Sequence, residues 1–286
     1  MLSAVAIYRL NDPGDLVGPV VVVAFDSWVD AGRASTAAAA QLAPGGRPVI
    51  TFDPDALFDY RARRPTLEIY DGRPSELTWP ELVARRGRLG DRDLLVLTGP
   101  EPDYRWREFA TAASEVVERF GVTQWISLGA IPAAVPHTRP VPILGTESRA
   151  GLLRGSVQPG PEGLLRVPSA AISVLDIAVS RAGVPTVGYF AQVPHYIQGP
   201  YPAAAVELLK AVGRHLDEDP PLGDLADEAR QLRSRLDVAT SSDDTTRTYV
   251  ERLESMVDEE RLPSGDELIS EIERFLREGG TEGRPN

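Results

Sequence analysis

The run VVVVAF at residues 20–25 is apolar at every position. A strand with one face in water alternates apolar and polar side chains, because successive Cβ atoms point to opposite faces. A strand without that alternation must be covered on both sides, which places it inside a sheet flanked by two helical layers. A chain of 286 residues is long enough to build such a core.

The rest of the sequence supplies the partners. Residues 5–10, 48–52, 67–70, 94–98, 124–128, 141–144 and 184–190 are further short apolar or β-branched runs and are predicted as strands. Residues 32–42, 105–120, 169–182 and 202–216 carry helical periodicity between them. Alternation of buried strands with amphipathic helices predicts an α/β protein with a mainly parallel sheet in a three-layer α/β/α sandwich.

The run DEDPP at 217–221 is a turn that a helix does not cross. It divides the sequence into an α/β domain over 1–216, a helical appendage over 217–280 and a polar tail without fixed structure over 281–286. Beyond the turn, Leu222, Leu225, Ala229, Leu232, Leu236 and Ala239 follow heptad spacing. Val250, Leu253, Met256 and Val257 mark a second helix. Leu268, Ile269, Ile272, Phe275 and Leu276 mark a third, with Ser264 and Glu267 at capping-box spacing. Two readings of this apolar seam stand: a helical hairpin folded back on its own domain, or a face offered to another subunit.

Charge follows the same division. The net charge is −12, and residues 216–286 alone hold 20 acidic and 9 basic side chains. The remainder is nearly neutral and has no basic stripe, which argues against nucleic acid as a partner. No run approaches the length of about 18 apolar residues that spans a bilayer. With no export signal at the start and no cysteine, the expected location is the cytoplasm. Disulfides, thiolate catalysis and cysteine-ligated metals are excluded by composition.

In an open parallel sheet, ligands meet the carboxyl ends of the strands. The loops there carry Asp26, Trp28 and Asp30; Glu101, Asp103, Tyr104, Arg105 and Trp106; His137 and Arg139; and His195, Tyr196 and Tyr201. These form the expected ligand or partner rim. His137 and His195 are of the type that serves as general acid and base, with Glu101 and Asp103 as carboxylate partners; the alternative is hydrogen-bonded structural histidines. Asp30 before Gly32 reads either as part of an anion-binding helix start or as the cap of an ordinary strand–helix corner. There is no GxGxxG, GxxxxGK[ST], HExxH or GxSxG pattern, so no cofactor, metal or nucleophile elbow is expected. Arg61, Arg63 and Arg64 form a compact basic loop, suited to an acidic partner segment or to pairing with nearby acids.

The segments FDSWVDAG at 25–32, TFDPDALFDYRARRPTLEI at 51–69 and LLVLTGPEPDYRW at 94–106 resemble bacterial members of the PAC2 (proteasome assembly chaperone) family. So do SLGAIPAAVPHTRP at 127–140, GYFAQVPHYIQGPYPAA at 188–204 and LPSGDELISEIERFL at 262–276. The resemblance implies a fold like that of the purine nucleoside phosphorylases, a homo-oligomer, for which a trimer is the expectation, and a protein-binding, assembly-chaperone-like role. It supplies no catalytic residues; the alternative function is a phosphorylase- or hydrolase-like enzyme or small-molecule binder working from the rim. Archaeal relatives of this kind dock on the proteasome through a hydrophobic–tyrosine–any tail. This sequence ends GRPN, so docking through that tail is not expected.

Overall fold

The computed structural model describes residues 7–160 and 163–260. The predicted third helix of the appendage and the tail at 281–286 lie outside the described residues.

The chain begins with β1 (Tyr8–Leu10) and β2 (Val20–Asp26), then α1 (Ala34–Leu42), β3 (Pro48–Phe52) and the short α2 (Pro54–Leu57). Four strands follow, β4 (Thr66–Tyr70), β5 (Arg73–Thr78), β6 (Val83–Leu89) and β7 (Arg92–Pro100). Next come α3 (Trp106–Arg119), β8 (Gln124–Ala133), β9 (Ile143–Glu147), β10 (Gln158–Pro159), α4 (Ala171–Arg181) and β11 (Thr186–Pro194). Three helices complete the described residues: α5 (Pro202–Leu216), α6 (Leu225–Ser241) and α7 (Asp244–Glu260).

Nine strands form one sheet in the order β1-β3-β6-β7-β2-β8-β11-β9-β10. The all-apolar strand β2 lies between β7 and β8 and is parallel to both. Strand alternation sorts its side chains cleanly. Val20, Val22 and Ala24 enter the core shared with α1 and α5, while Val21, Val23 and Phe25 enter the core shared with α3 and α4. Each fully buried valine contributes about 1.5–3 kcal/mol of apolar burial. This one strand therefore stitches both layers to the sheet, and the three-layer sandwich follows from it.

The helices present matching faces. Phe109, Ala110, Ala113, Val116 and Val117 of α3 recur at helical spacing and are buried. Helix α1 lies against α5 through alanines, Ala34 and Ala38 meeting a surface that includes Ala204 and Ala205, so the two backbones approach closely.

Two expectations are corrected. The sheet is mixed, not mainly parallel. Strands β7, β2, β8 and β11 form a parallel block; β1, β3 and β6 add an antiparallel wing, and at the other edge β9 runs antiparallel to β11 with β10 parallel to β9. The strand at 67–70 does not join this sheet; as β4 it pairs with β5 in a separate hairpin that stands clear of the body.

The apolar seam after residue 217 turns back on its own domain. Leu225 is buried, and Leu222, Leu232 and Leu236 pack against the α1–α5 core. Ala239 at the end of the seam is exposed. Val250, Leu253 and Val257 form the buried stripe of α7.

Candidate functional site

The parallel block delivers β2, β7, β8 and β11 to one end of the sheet, where Asp26 stands level with Pro100. The predicted rim is there, but it divides into two groups with different neighbours.

The first group lies where the helical appendage meets the body. His137 is 3% exposed, and its backbone nitrogen and Nδ1 both stand 2.7 Å from the Tyr196 hydroxyl. The rings of His137 and His195 both lie within 6 Å of that of Tyr196, so the structure does bring the two histidines together. His195 Nδ1 contacts the Ala133 carbonyl at 3.0 Å, and its Nε2 contacts the Tyr249 hydroxyl of α7 at 3.0 Å. Arg139 grips Asp258 through Nε (2.9 Å) and Nη2 (2.7 Å) and reaches Glu254 at 3.2 Å. Thr138 also donates to Glu254, and Arg233 of α6 donates to the His137 carbonyl at 2.6 Å. Burial and the Arg233 charge hold the His137 imidazole below its usual pKa, against the pull of Asp237 and Glu254. Its Nε2 is buried without a hydrogen bond; Asp237 Oδ1 stands at 3.4 Å, too far for a well-formed one.

Tyr201 is buried beneath this group. Its backbone nitrogen donates to the Gly32 carbonyl at 2.8 Å. Gly32 has φ +63°, and a Cβ there would come within 2.7 Å of Tyr201 Cβ. Only glycine satisfies both demands.

The carboxylates proposed for chemistry are committed to backbone. Asp30 Oδ1 accepts from the Ser35 amide (2.8 Å) and hydroxyl (2.7 Å), and its Oδ2 accepts from the Thr36 hydroxyl. That is the capped corner rather than an anion site, since the carboxylate occupies the amides an anion would need. Glu101 accepts from the Ala171 amide at 2.6 Å and so caps α4 from outside the helix. Asp103 accepts from the Asp59 amide at 2.9 Å and pairs with Arg63 at 3.3 Å. None of these carboxylates is placed beside His137 or His195 by its hydrogen bonds.

The second group faces outward. Arg63 is tied to Asp103, whereas Arg61 and Arg64 are exposed. Tyr104 is exposed, and its hydrogen bond to Asp59 raises the phenol; the Asp59 carboxyl is lowered chiefly by the Arg61 amide and also by Tyr104. Arg105 pairs with Glu108, and the Trp106 indole donates to the Pro102 carbonyl at 2.6 Å. Asp26 and Trp28 are exposed. Beside these loops stands the β4–β5 hairpin, with Leu67, Ile69, Tyr70 and Leu77 all exposed. Tyr60 packs edge-on against Trp79 at its base, with ring centroids 4.7 Å apart.

The residues that close the first group, Asp237, Tyr249, Glu254 and Asp258, were not foreseen. Nothing local links position 195 to 249. Tyr249, beside Val250 in an otherwise polar stretch, is the one signal available.

A mixed sheet between two helical layers, with loops gathered at one end, defines an α/β/α sandwich. The chain belongs to the PAC2 family, whose model matches residues 24–240. It is similar to a Corynebacterium glutamicum protein of unknown function: 32% identity, 89% of this chain and 98% of that one covered, TM-score 0.83. A Mycobacterium tuberculosis protein of unknown function matches at 33% identity over 88% of this chain and 91% of that one, with a TM-score of 0.79. A proteasome-assembly chaperone homologue from M. tuberculosis matches at 34% identity over 81% of this chain and 99% of that one, with a TM-score of 0.73. No curated protein matches the chain. Among the described residues no helix is long and apolar enough to cross a membrane, and no group of three or more potential ligands is placed to hold a metal ion.

Proposed function

We propose that this protein is a protein-binding, assembly-chaperone-like member of the PAC2 family that works in the cytoplasm as a homo-oligomer, with a trimer as the expected state. The observation that carries the reading is the uncovered β4–β5 hairpin. A lone two-stranded hairpin is marginal in water and needs a third strand or a packed face. Here Ile69 is 62% exposed and Tyr70 75% exposed, Leu67 lies opposite Leu77, and Glu68 lies directly opposite Glu76. Like charges in directly opposed positions weaken the pair further. Such an element fits a place where a second protein surface completes it.

Charge supports a second copy of the chain as the first occupant. Arg61 and Arg64 precede the hairpin and Arg73 opens its second strand, while the strongly acidic sequence beyond residue 216 offers the complementary sign. The commitment of Asp30, Glu101 and Asp103 to backbone amides favours binding over acid–base chemistry. The likeness to a proteasome-assembly chaperone homologue supports a protein partner. Size-exclusion chromatography with light scattering tests the reading: a stable oligomer, trimeric in mass, is expected, and a monomer at micromolar concentration overturns it.

A further inference from the structure

A second site, independent of the protein-binding reading, lies beside α4. Asp176 comes from the apolar face of that helix, one turn after Ile172 and one before Val179. It is turned towards the sheet, where the Trp125 indole donates to its Oδ1 at 2.9 Å and the Ser127 hydroxyl donates to the same oxygen. Oδ2 has no hydrogen bond among the described residues. It is not a buried orphan either, so it is left for the cleft of about 400 Å³ that Asp176 lines.

The floor of that cleft is aromatic. Beyond α4, the strip formed by β11 and β9 is lined by Thr146, Thr186, Gly188 and Phe190. Opposite edges of the Phe190 ring rest on two glycines: a Cβ on Gly129 would fall 2.4 Å from the ring, and one on Gly188 2.7 Å from it. Glycine at both positions lets the ring lie across the sheet with its other face towards the cleft.

A carboxyl group beside an aromatic face is the chemistry that recognises an organic cation, through a charge-assisted hydrogen bond and a cation–π contact. Among the described residues, no protein cation fills the place. Arg181 and Glu147 are the other charged side chains in the lining. Arg181 makes no ion pair with Asp176 among the described residues, and Glu147 is occupied by the amides of Gly151, Leu152 and Leu153. Burial accordingly pushes the Asp176 carboxyl up to about 7, although the two donors lower it.

We propose that this cleft binds a primary ammonium group on a short alkyl chain, accepted by Asp176 Oδ2 with the chain laid over Phe190. The ammonium comes either from a free small amine or from the end of a lysine side chain. The full chain, labelled with ¹⁵N, is titrated with n-butylammonium chloride, with Nα-acetyl-lysine methylamide, and with n-butanol as the neutral control. The Trp125 indole N–H is the reporter, since it bonds the same carboxyl. Saturable binding of n-butylammonium alone assigns a free amine, and binding of the lysine derivative assigns a protein side chain. Affinity is expected to be about tenfold tighter at pH 8 than at pH 6, because the carboxylate form must be present. Asp176→Asn, which keeps an acceptor for Trp125 and Ser127, should abolish binding, and Phe190→Ala should weaken it severalfold. Equal response to n-butanol, unchanged affinity in Asp176→Asn, or no saturable shift with either ammonium overturns the proposal.

Discussion

The Tyr196 hydroxyl accepts the backbone N–H of His137 and stands 2.7 Å from His137 Nδ1 as well. The other ring nitrogen, Nε2, faces Asp237 of α6 at 3.4 Å. A loop histidine is thus held between the sheet and the helical appendage. Arg139 and Thr138, the next two residues, complete the latch on α7.

Cutting this latch should loosen α7 without unfolding the body. Arg139→Ala removes a forked pair to Asp258 and a contact to Glu254, all partly exposed. The expected loss of global stability is small, because solvent screens these pairs. Hydrogen exchange should quicken over residues 244–260 while the central strands keep their protection.

The corner at Gly32 should tolerate no side chain. Gly32→Ala sets a Cβ against Tyr201 at φ +63° and should cost about 2 kcal/mol or more. Thermal unfolding should show a midpoint lower by about 5 °C.

Two partly buried groups should give opposite pH signatures. His215 is held by the Tyr189 hydroxyl at Nδ1 and Gln124 Oε1 at Nε2, and burial pushes it down to about 4. Its folded pKa lies below its unfolded value of about 6.5. The stability it contributes is therefore complete above that pH and is lost as pH falls towards 4. Asp176 runs the other way. Its folded value of about 7 lies above the unfolded value of about 3.9, so its contribution is present at low pH and is lost as pH rises through 7. Urea unfolding should show wild type losing ground to His215→Gln as pH falls from about 7 to 4, and to Asp176→Asn as pH rises from about 4 to 7.

The hairpin should matter for association and not for the fold of one protomer. Leu67→Ser with Leu77→Ser changes two exposed side chains that lie opposite each other outside both cores. The expected outcome is a shift to smaller particles in light scattering, with circular dichroism unchanged.

The sandwich was legible because VVVVAF and its neighbouring strands carry an unbroken apolar signal, and their faces sort by simple alternation. Strand β6 was not legible. In VARRGRL the arginines mask the pattern, yet Arg86 is at home there, bonded to Asp93 at 2.8 Å and to the Pro13 carbonyl at 2.5 Å. Its omission hid the antiparallel wing. The rim loops were legible as a location but not as a partition. The carboxylates of Asp30, Glu101 and Asp103 cap amides that the fold brings to them, and Glu101 meets Ala171 across 70 residues. Asp176 was detectable in principle, as an acid interrupting the apolar face of AISVLDIAVS.

The most direct test of the central claim is amide hydrogen exchange in residues 66–78 at two protein concentrations. If a second protomer completes the hairpin, those amides should be protected at micromolar concentration and should exchange at nearly the unprotected rate after dilution to nanomolar. Fast exchange at both concentrations would contradict the account, as would equal protection at both in a particle with the mass of a monomer.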